Sequence, residues 1–217
     1  MKKVISFALW GNNTLYTKGA IRNAVIAPDY YPGWTMRVYY DKTVPQWCVD
    51  ELVKLNCEMV LMPASIDVLG MFWRFRPMFD DPTIERFIVR DCDSLFTARE
   101  VWAVDKWIES GKAFHIIRDC ESHGMWILGG TWGAIPGCVP NFKELMWQYL
   151  GNLAPCNSGG GGLFRGADQE FLSRCIWPYI ENNQLAHVRA GLPKIKFTGR
   201  EVDLPELTDN HYIGMVC

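Results

Sequence analysis

The first hundred residues alternate between short apolar runs and longer amphipathic segments, and this alternation limits the fold more than any other feature. Strands are predicted at 4–9, 36–40, 58–62 and 86–90, and helices at 15–27, 45–55, 66–79 and 97–109. Pro28 should end the first helix, and Glu100 should complete a capping box with Thr97. Strands that alternate with helices predict an α/β fold, in which helices flank a mostly parallel central sheet.

The second half of the chain continues this pattern less regularly. Further strands are predicted at 113–117 and 125–135, and a late helix runs from 166 to about 180. Gly129, Gly130 and Gly133 interrupt the strand at 125–135, where they either let a ligand approach the backbone or only mark a bulge. The glycine-rich loop 157–162 is a candidate lid, although an ordinary surface connector fits equally well.

Composition favours one domain. The chain has 217 residues, 49% of them hydrophobic, which is enough for a packed core. No repeat or linker is evident, so residues 1–217 are interpreted as a single domain, and the abrupt end at Cys217 is compatible with one domain of a longer protein. A net charge of −2 with interspersed acidic and basic residues argues against nucleic acid as a partner.

The eight cysteines are scattered, without a CxxC pair or the spacing of a zinc site. No secretory signal or transmembrane segment is evident in the sequence. Because free cysteine is readily buried, we expect reduced core thiols and a cytoplasmic protein.

Two carboxylates, Asp91 and Asp93, directly follow the apolar run 87–89. At the end of a strand they would share one face, with β-carbons about 7 Å apart. Two like charges at that distance favour a hard divalent cation that takes oxygen ligands and bridges to the phosphates of a substrate. Aspartate pairs also start turns and cap helices, so the motif alone leaves that structural alternative open.

Polar or glycine-rich residues also follow two other predicted strands. Trp10 and Gly11 come after the first strand, and Asp41 comes after the second. Ligands of open α/β sheets bind beyond the carboxyl ends of the strands, so these residues and Asp91 are expected to border one crevice.

The chain has ten tryptophans, a residue type that stacks on sugars but also fills cores. We expect site roles for Trp10, Trp132 and Trp73. Trp107, Trp147 and Trp177 lie in helical segments, where packing is the simpler expectation.

Several segments resemble small viral and bacterial glycosyltransferases of the GT-A fold, including small chlorovirus enzymes. These segments are 71–75, 90–94, 99–100, 114–119 with His123, and 127–133, and the resemblance covers most of residues 1–180. It implies transfer of a sugar from a nucleoside-diphosphate sugar, with UDP favoured, to a hydroxyl of a glycan or glycoprotein acceptor. It also implies Mn²⁺ or Mg²⁺ as the cofactor, and the host cytoplasm as the location if the protein is viral.

The resemblance also assigns roles to residues of the donor site. Asp91 would face the ribose or the metal, and Asp93 would bind the metal. Arg74 would reach the diphosphate or ribose; Arg76 lies about 200° further around the predicted helix and is not expected in the same site. An ion pair with Asp80 or Asp81 is the alternative role for either arginine. Other expected nucleotide-sugar contacts are Trp10, Gly11, Asp41, Gly130 and Gln169.

For the acceptor side, Asp168 resembles the aspartate of an Asp-Gln pair at the start of a late helix. It would act as the base or as an anchor for the acceptor hydroxyl, unless it only caps the helix. Asp119 is a second catalytic candidate near the acceptor. His211 is the expected third metal ligand, and His187 is its competitor.

Two other functions remain open from the sequence. A nucleotidyltransferase acting on sugar phosphates would also use paired aspartates, but it would usually carry a basic glycine-rich loop where Gly11-Asn12-Asn13 stands here. A non-catalytic glycan-binding domain would account for the tryptophans but not for the paired aspartates. The sequence also leaves open whether a transferase would invert or retain the anomeric configuration.

Overall fold

One mostly parallel sheet forms the centre of the molecule. The computed structural model describes residues 1–63, 67–121, 124–153, 165–190, 192, 200–207 and 211–217. Within them, the strands are β1 (Lys2–Leu9), β2 (Trp34–Tyr40), β3 (Glu58–Leu61), β4 (Ile84–Arg90), β5 (Phe114–Arg118), β6 (Thr131–Ala134), β7 (Gln184–Val188) and β8 (Arg200–Asp203). Their order is β3-β2-β1-β4-β6-β5-β7-β8, and β6 alone runs antiparallel to both of its neighbours. The predicted α/β fold with a mostly parallel sheet is confirmed.

Helices connect these strands and cover the sheet. They are α1 (Thr14–Tyr30), α2 (Gln46–Lys54), a 3₁₀ helix (Asp67–Met78), α3 (Ala98–Ser110), α4 (Phe142–Leu153) and α5 (Ala167–Phe171), which continues through a π-helical turn (Leu172–Ile176) into α6 (Trp177–Ile180). The prediction that Pro28 ends the first helix is wrong. Proline removes one donor, but α1 still continues to Tyr30, and the Tyr31 N–H donates to the Ala27 carbonyl (2.8 Å).

Hydrophobic cores lie on both faces of the sheet, as the alternation of side chains along a strand requires. Val4 and Phe87 belong to the core that also contains residues of the 3₁₀ helix, α4, α5 and α6. Their neighbours Ile5 and Ile88 belong to the core that contains residues of α1, α2 and α3. The sheet is therefore the middle layer of a three-layer sandwich.

Two tryptophan predictions are wrong. Trp132 was expected in the site, but its side chain is fully buried and stacks on Phe114 with ring centroids 5.0 Å apart. Trp147 was expected to pack in the core, but it is 54% exposed. Trp107 and Trp177 are buried, as predicted.

The predicted capping box of α3 forms only in part. The Thr97 hydroxyl accepts from the Glu100 N–H (3.2 Å), as expected for an N-cap. The Glu100 carboxylate does not complete the box, because it accepts hydrogen bonds from the buried side chains of Arg90 and Tyr31. In the described part of the chain, no helix is both long and apolar enough to cross a membrane.

Candidate functional site

A pocket of about 660 Å³ opens at the edge of the sheet where β1 and β4 end. Because β6 is antiparallel, it begins at this same edge, and the residues before it also reach the pocket. The pocket is lined by Ala8, Leu9, Trp10, Gly11, Asn12, Asn13, Tyr16, Met71, Arg74, Asp91, Cys92, Asp93, Leu128, Gly129, Gly130, Thr131, Arg165, Gly166, Asp168, Gln169, Gly214 and Val216. Its size is typical of a pocket for a small molecule or cofactor.

Arg74, on the 3₁₀ helix, lies at the centre of the charged groups. One terminal nitrogen contacts Asp91, and the other donates to Asp168 Oδ2 at 2.7 Å. Burial alone would lower the pKa of Arg74, but Asp91 and Asp168 outweigh that effect and raise it, so the guanidinium stays charged. Arg76 instead pairs with Asp80 (3.4 Å) and does not line the pocket.

Two glycines make room for the carboxylates. Gly130 precedes Thr131, which pairs with Arg90, so Gly130 faces Asp91 across the strands. A β-carbon on Gly130 would lie 1.8 Å from Asp91 Oδ2, and one on Gly129 would lie 2.1 Å from Asp168 Oδ2. These glycines therefore admit protein carboxylates close to the backbone, an arrangement that the sequence did not indicate.

Asp93 is partly buried at the same pocket. Burial and the neighbouring negative charge of Asp91 raise its pKa. Three carboxylates, those of Asp91, Asp93 and Asp168, thus share the pocket with the cations Arg74 and Arg165. Of these, Asp91 and Asp93 offer carboxylate oxygens, which are the donors that a hard divalent cation prefers.

Helix α1 fixes the turn that carries the two aspartates. Gly19 packs so closely that a β-carbon there would lie 2.0 Å from the Cys92 carbonyl oxygen. Asn23 Nδ2 donates to the Ser94 carbonyl at 2.8 Å. The Cys92 thiol is buried and approaches the Ala8 carbonyl (3.4 Å), so the middle residue of the motif has a structural role.

The amino-terminal end of α1 also faces the pocket. The Asn13 side chain caps the helix by accepting from the Leu15 N–H (2.9 Å), and the first turn contains no acidic residue. Asn12 and Tyr16 line the pocket beside it. The end of a helix carries free N–H groups and a partial positive charge, which favour an anionic ligand. These residues were missed in the sequence, although an asparagine before a helix is a recognisable capping signal.

Trp10 and Gly11 line the pocket as predicted, whereas Asp41 lies behind it. The Gly11 N–H donates to Thr43 Oγ1 (2.6 Å), and the Thr43 side chain in turn contacts Asp41. Asp41 is buried and is not among the lining residues. Its carboxylate therefore supports the turn at Gly11, which has a φ of +72°.

Asp119, His211 and His187 are not brought to the pocket. Asp119 is fully buried, contacts Arg99 and accepts from the Ile213 N–H (2.8 Å). His211 is exposed and is not a lining residue. His187 is buried, and its Nδ1 lies 2.9 Å from Nε2 of His115. Burial lowers the pKa of His187 to about 4.

Of the remaining predicted site residues, one lines the pocket and the others cannot be placed. Gln169 lines the pocket beside Asp168, as expected, while His123 and the glycine-rich loop 157–162 lie outside the described residues. Among the residues that are described, no three His, Cys, Asp or Glu side chains are grouped to hold a metal ion. The protein would therefore supply two carboxylates, with other ligands coming from substrate and water.

Comparison with known proteins supports the fold. No protein-family model and no curated protein matches the sequence. A solved structure described as "a glycosyltransferase involved in the glycosylation of the major capsid of PBCV-1" has a TM-score of 0.50, and the match covers 87% of this chain and 82% of that one. The fold is GT-A-like. The identity to that glycosyltransferase is 13%, so this likeness supports the GT-A-like fold and no particular activity.

A second solved structure matches with a lower TM-score. It is 4-diphosphocytidyl-2C-methyl-D-erythritol synthase from Anaerococcus prevotii, which is 10% identical, with coverage of 99% and 93% and a TM-score of 0.48. That score is too low to support an argument about this GT-A-like chain.

Proposed function

We propose that this protein is a metal-dependent glycosyltransferase that moves a sugar from a nucleoside-diphosphate sugar to a hydroxyl of a glycan or glycoprotein. One observation carries the proposal: Asp91, Asp93 and Asp168 converge with Arg74 in a pocket at the carboxyl-end edge of a GT-A-like sheet. Ligands of open α/β sheets bind at this edge. UDP is the favoured donor nucleotide because of the sequence resemblance described above.

Asp91 and Asp93 would hold Mn²⁺ or Mg²⁺ through their carboxylate oxygens. When bound, such an ion orients a diphosphate and offsets the negative charge that develops as the diphosphate leaves. Asp93 is the better test of this role, because Asp91 also contacts Arg74 and its replacement would disturb that ion pair as well.

The chain's own groups account for binding of the diphosphate. Arg74 offers a buried, permanently charged guanidinium; two of its N–H groups contact Asp91 and Asp168, and the remaining ones can donate to phosphate oxygens. The amino-terminal end of α1, capped by Asn13, adds N–H groups and a favourable dipole at the pocket. Trp10 lines the pocket with its flat ring, which makes an edge-to-face contact with Trp73 (ring centroids 6.2 Å apart).

Asp168 is proposed to receive the acceptor hydroxyl. It is buried, lines the pocket and is oriented by Arg74. In an inverting reaction its carboxylate would accept the hydroxyl proton as the new glycosidic bond forms and the bond to the diphosphate breaks. In a retaining reaction it would only anchor the hydroxyl.

Transfer assays test the proposal. The purified protein is incubated with UDP-sugars, Mn²⁺ and a panel of glycan acceptors, and both UDP release and glycan mass are followed. We expect a mass increase of one sugar residue, abolished by Asp93→Asn and retained by Asp50→Asn, a change in α2 at an exposed aspartate. Formation of a nucleotide sugar from a nucleoside triphosphate and a sugar phosphate, without glycan transfer, would overturn the proposal in favour of a nucleotidyltransferase.

A further inference from the structure

Glu100 and Asp119 are buried and the Arg99 side chain is only 9% exposed, yet these charged residues take no part in the function proposed above. Arg99 and Glu100 occupy the first turn of α3. Glu100 accepts from Arg90, the residue directly before Asp91, and Arg99 contacts Asp119 directly after β5. The first turn of α3 therefore holds the ends of β4 and β5, two strands separated in the sheet by β6.

Asp119 also holds the carboxyl-terminal segment, defined here as residues 211–217. The Ile213 N–H donates to Asp119 Oδ2 at 2.8 Å. Ile213 itself is fully buried, in a small apolar cluster with Ala103, Ile117 and Leu204. A backbone hydrogen bond and an apolar contact thus fix the same residue.

Beyond Ile213, the carboxyl-terminal segment runs along the turn that carries the paired aspartates. Gly214 and Val216 line the pocket. Val216 forms an antiparallel bridge with Ser94, and the Cys217 N–H donates to the Asp93 carbonyl at 2.8 Å. The segment is therefore both a wall of the pocket and a restraint on the backbone of Asp93.

We propose that Asp119 is a positioning residue: with Arg99, it seats the carboxyl-terminal segment against the Asp91–Asp93 turn and so shapes the donor pocket. The effect of Asp119 on sugar transfer rests on the proposed function, whereas its effect on the position of residues 211–217 does not. Asp119 lies outside the pocket, so it touches no reacting atom, and its influence passes through Ile213. A site whose backbone is restrained binds more tightly, because less ordering remains to be done on binding.

The change Asp119→Asn tests this directly, because it removes the charge that pairs with Arg99 and keeps the side-chain size. The matched control is Glu201→Gln. Glu201, on β8, pairs with Arg118, the neighbour of Asp119, at 3.0 Å. Both variants lose a buried or partly buried ion pair next to β5, so a purely structural role predicts similar behaviour.

Hydrogen exchange of the Ile213 and Cys217 amides is the first readout, because it needs no nucleotide. We expect exchange at least tenfold faster in Asp119→Asn and unchanged in Glu201→Gln. The second readout is kinetic: Asp119→Asn should raise the KM for the donor about tenfold and leave the KM for the acceptor unchanged. Unchanged amide exchange, or a change confined to the acceptor KM, would overturn the proposal.

Deletion of residues 211–217 keeps the proposal testable if Asp119→Asn does not fold. The truncated protein should bind the manganese–UDP complex about tenfold more weakly. Where Asp119→Asn does fold, combining it with the truncation should cause no further loss, since the two changes act through one path. Full donor binding by the truncated protein would overturn the proposal. If the unaltered protein binds no nucleotide, the proposed function fails, and the amide exchange alone decides the role of Asp119.

Discussion

The substitution Gly130→Ala should disable the paired-aspartate site without unfolding the protein. The new β-carbon would lie 1.8 Å from Asp91 Oδ2, and an ordinary contact begins at 3.4 Å, so the carboxylate must retreat by about 1.6 Å (3.4 minus 1.8). That movement breaks the contact of Asp91 with Arg74 and displaces one of the two proposed metal ligands.

The cost to binding follows from this displacement. A misplacement of about 1 Å at a preorganised site can cost up to about 100-fold, so we expect the Kd for the manganese–nucleotide complex to rise about 10- to 100-fold, or about 1.4–2.7 kcal/mol. The cost to folding is smaller. The Asp91 side chain is 42% exposed, so solvent screens its ion pair, and its loss should lower the free energy of unfolding by no more than about 1 kcal/mol.

Titration calorimetry with UDP and Mn²⁺, paired with thermal unfolding, measures both quantities. Gly151→Ala in α4 is the control, because its β-carbon would meet nothing within 4 Å. Gly129→Ala is the comparator: its β-carbon would displace Asp168, so it should slow transfer more than it weakens metal-dependent binding. Unaltered manganese-dependent binding by Gly130→Ala would refute the assignment of Asp91 as a ligand.

Three further changes test the assignment of residues to site, core and pH response. Arg74→Gln leaves the carboxylates of Asp91 and Asp168 unpaired, so the free energy of unfolding, measured by urea titration, should fall by about 3 kcal/mol. Adding Mn²⁺ should restore part of this stability, and no recovery would contradict a cation site. Trp132→Ala should cost about 3–5 kcal/mol of stability, whereas Trp10→Ala should change stability little and weaken nucleotide binding; the reverse pattern would contradict both assignments. Burial lowers the pKa of His115 and His187 in the folded state, so the unfolded state binds more protons as the pH falls. The free energy of unfolding should therefore decrease between about pH 6.5 and about pH 4, by about 3 kcal/mol for His187. Stability curves that stay flat across this window would show that the pair does not titrate on unfolding.

The sequence predicted the fold and the centre of the site for a shared physical reason. Apolar runs of strand length mark buried strands, and residues just after parallel strands must meet at one edge of the sheet. Asp91, Asp93, Trp10 and Gly11 follow from that rule, and all four line the pocket. Helical geometry predicted that Arg74 and Arg76 would not share one site, and the resemblance favoured Arg74; Arg74 lines the pocket while Arg76 pairs with Asp80.

Other features depend on tertiary contacts that no local pattern encodes. Asp41 and Asp119 both directly follow strands, yet both are buried and connected to residues distant in the sequence. Asp41 is linked to Gly11 through Thr43, and Asp119 accepts a hydrogen bond from the Ile213 N–H. The antiparallel direction of β6 decides that Gly129 and Gly130 face carboxylates and that Trp132 enters the core. The contribution of Val216 to the pocket wall requires a pairing with Ser94 across more than a hundred residues.

The most direct test of the proposed function is calorimetric titration of the protein with UDP and with GDP, each in the presence and absence of Mn²⁺, repeated on Asp93→Asn. We predict that one nucleotide binds tightly only with Mn²⁺ and that Asp93→Asn removes this binding. Binding of neither nucleotide, or the same affinity without the metal or without the Asp93 carboxylate, would contradict a metal-dependent nucleotide-sugar site in this pocket.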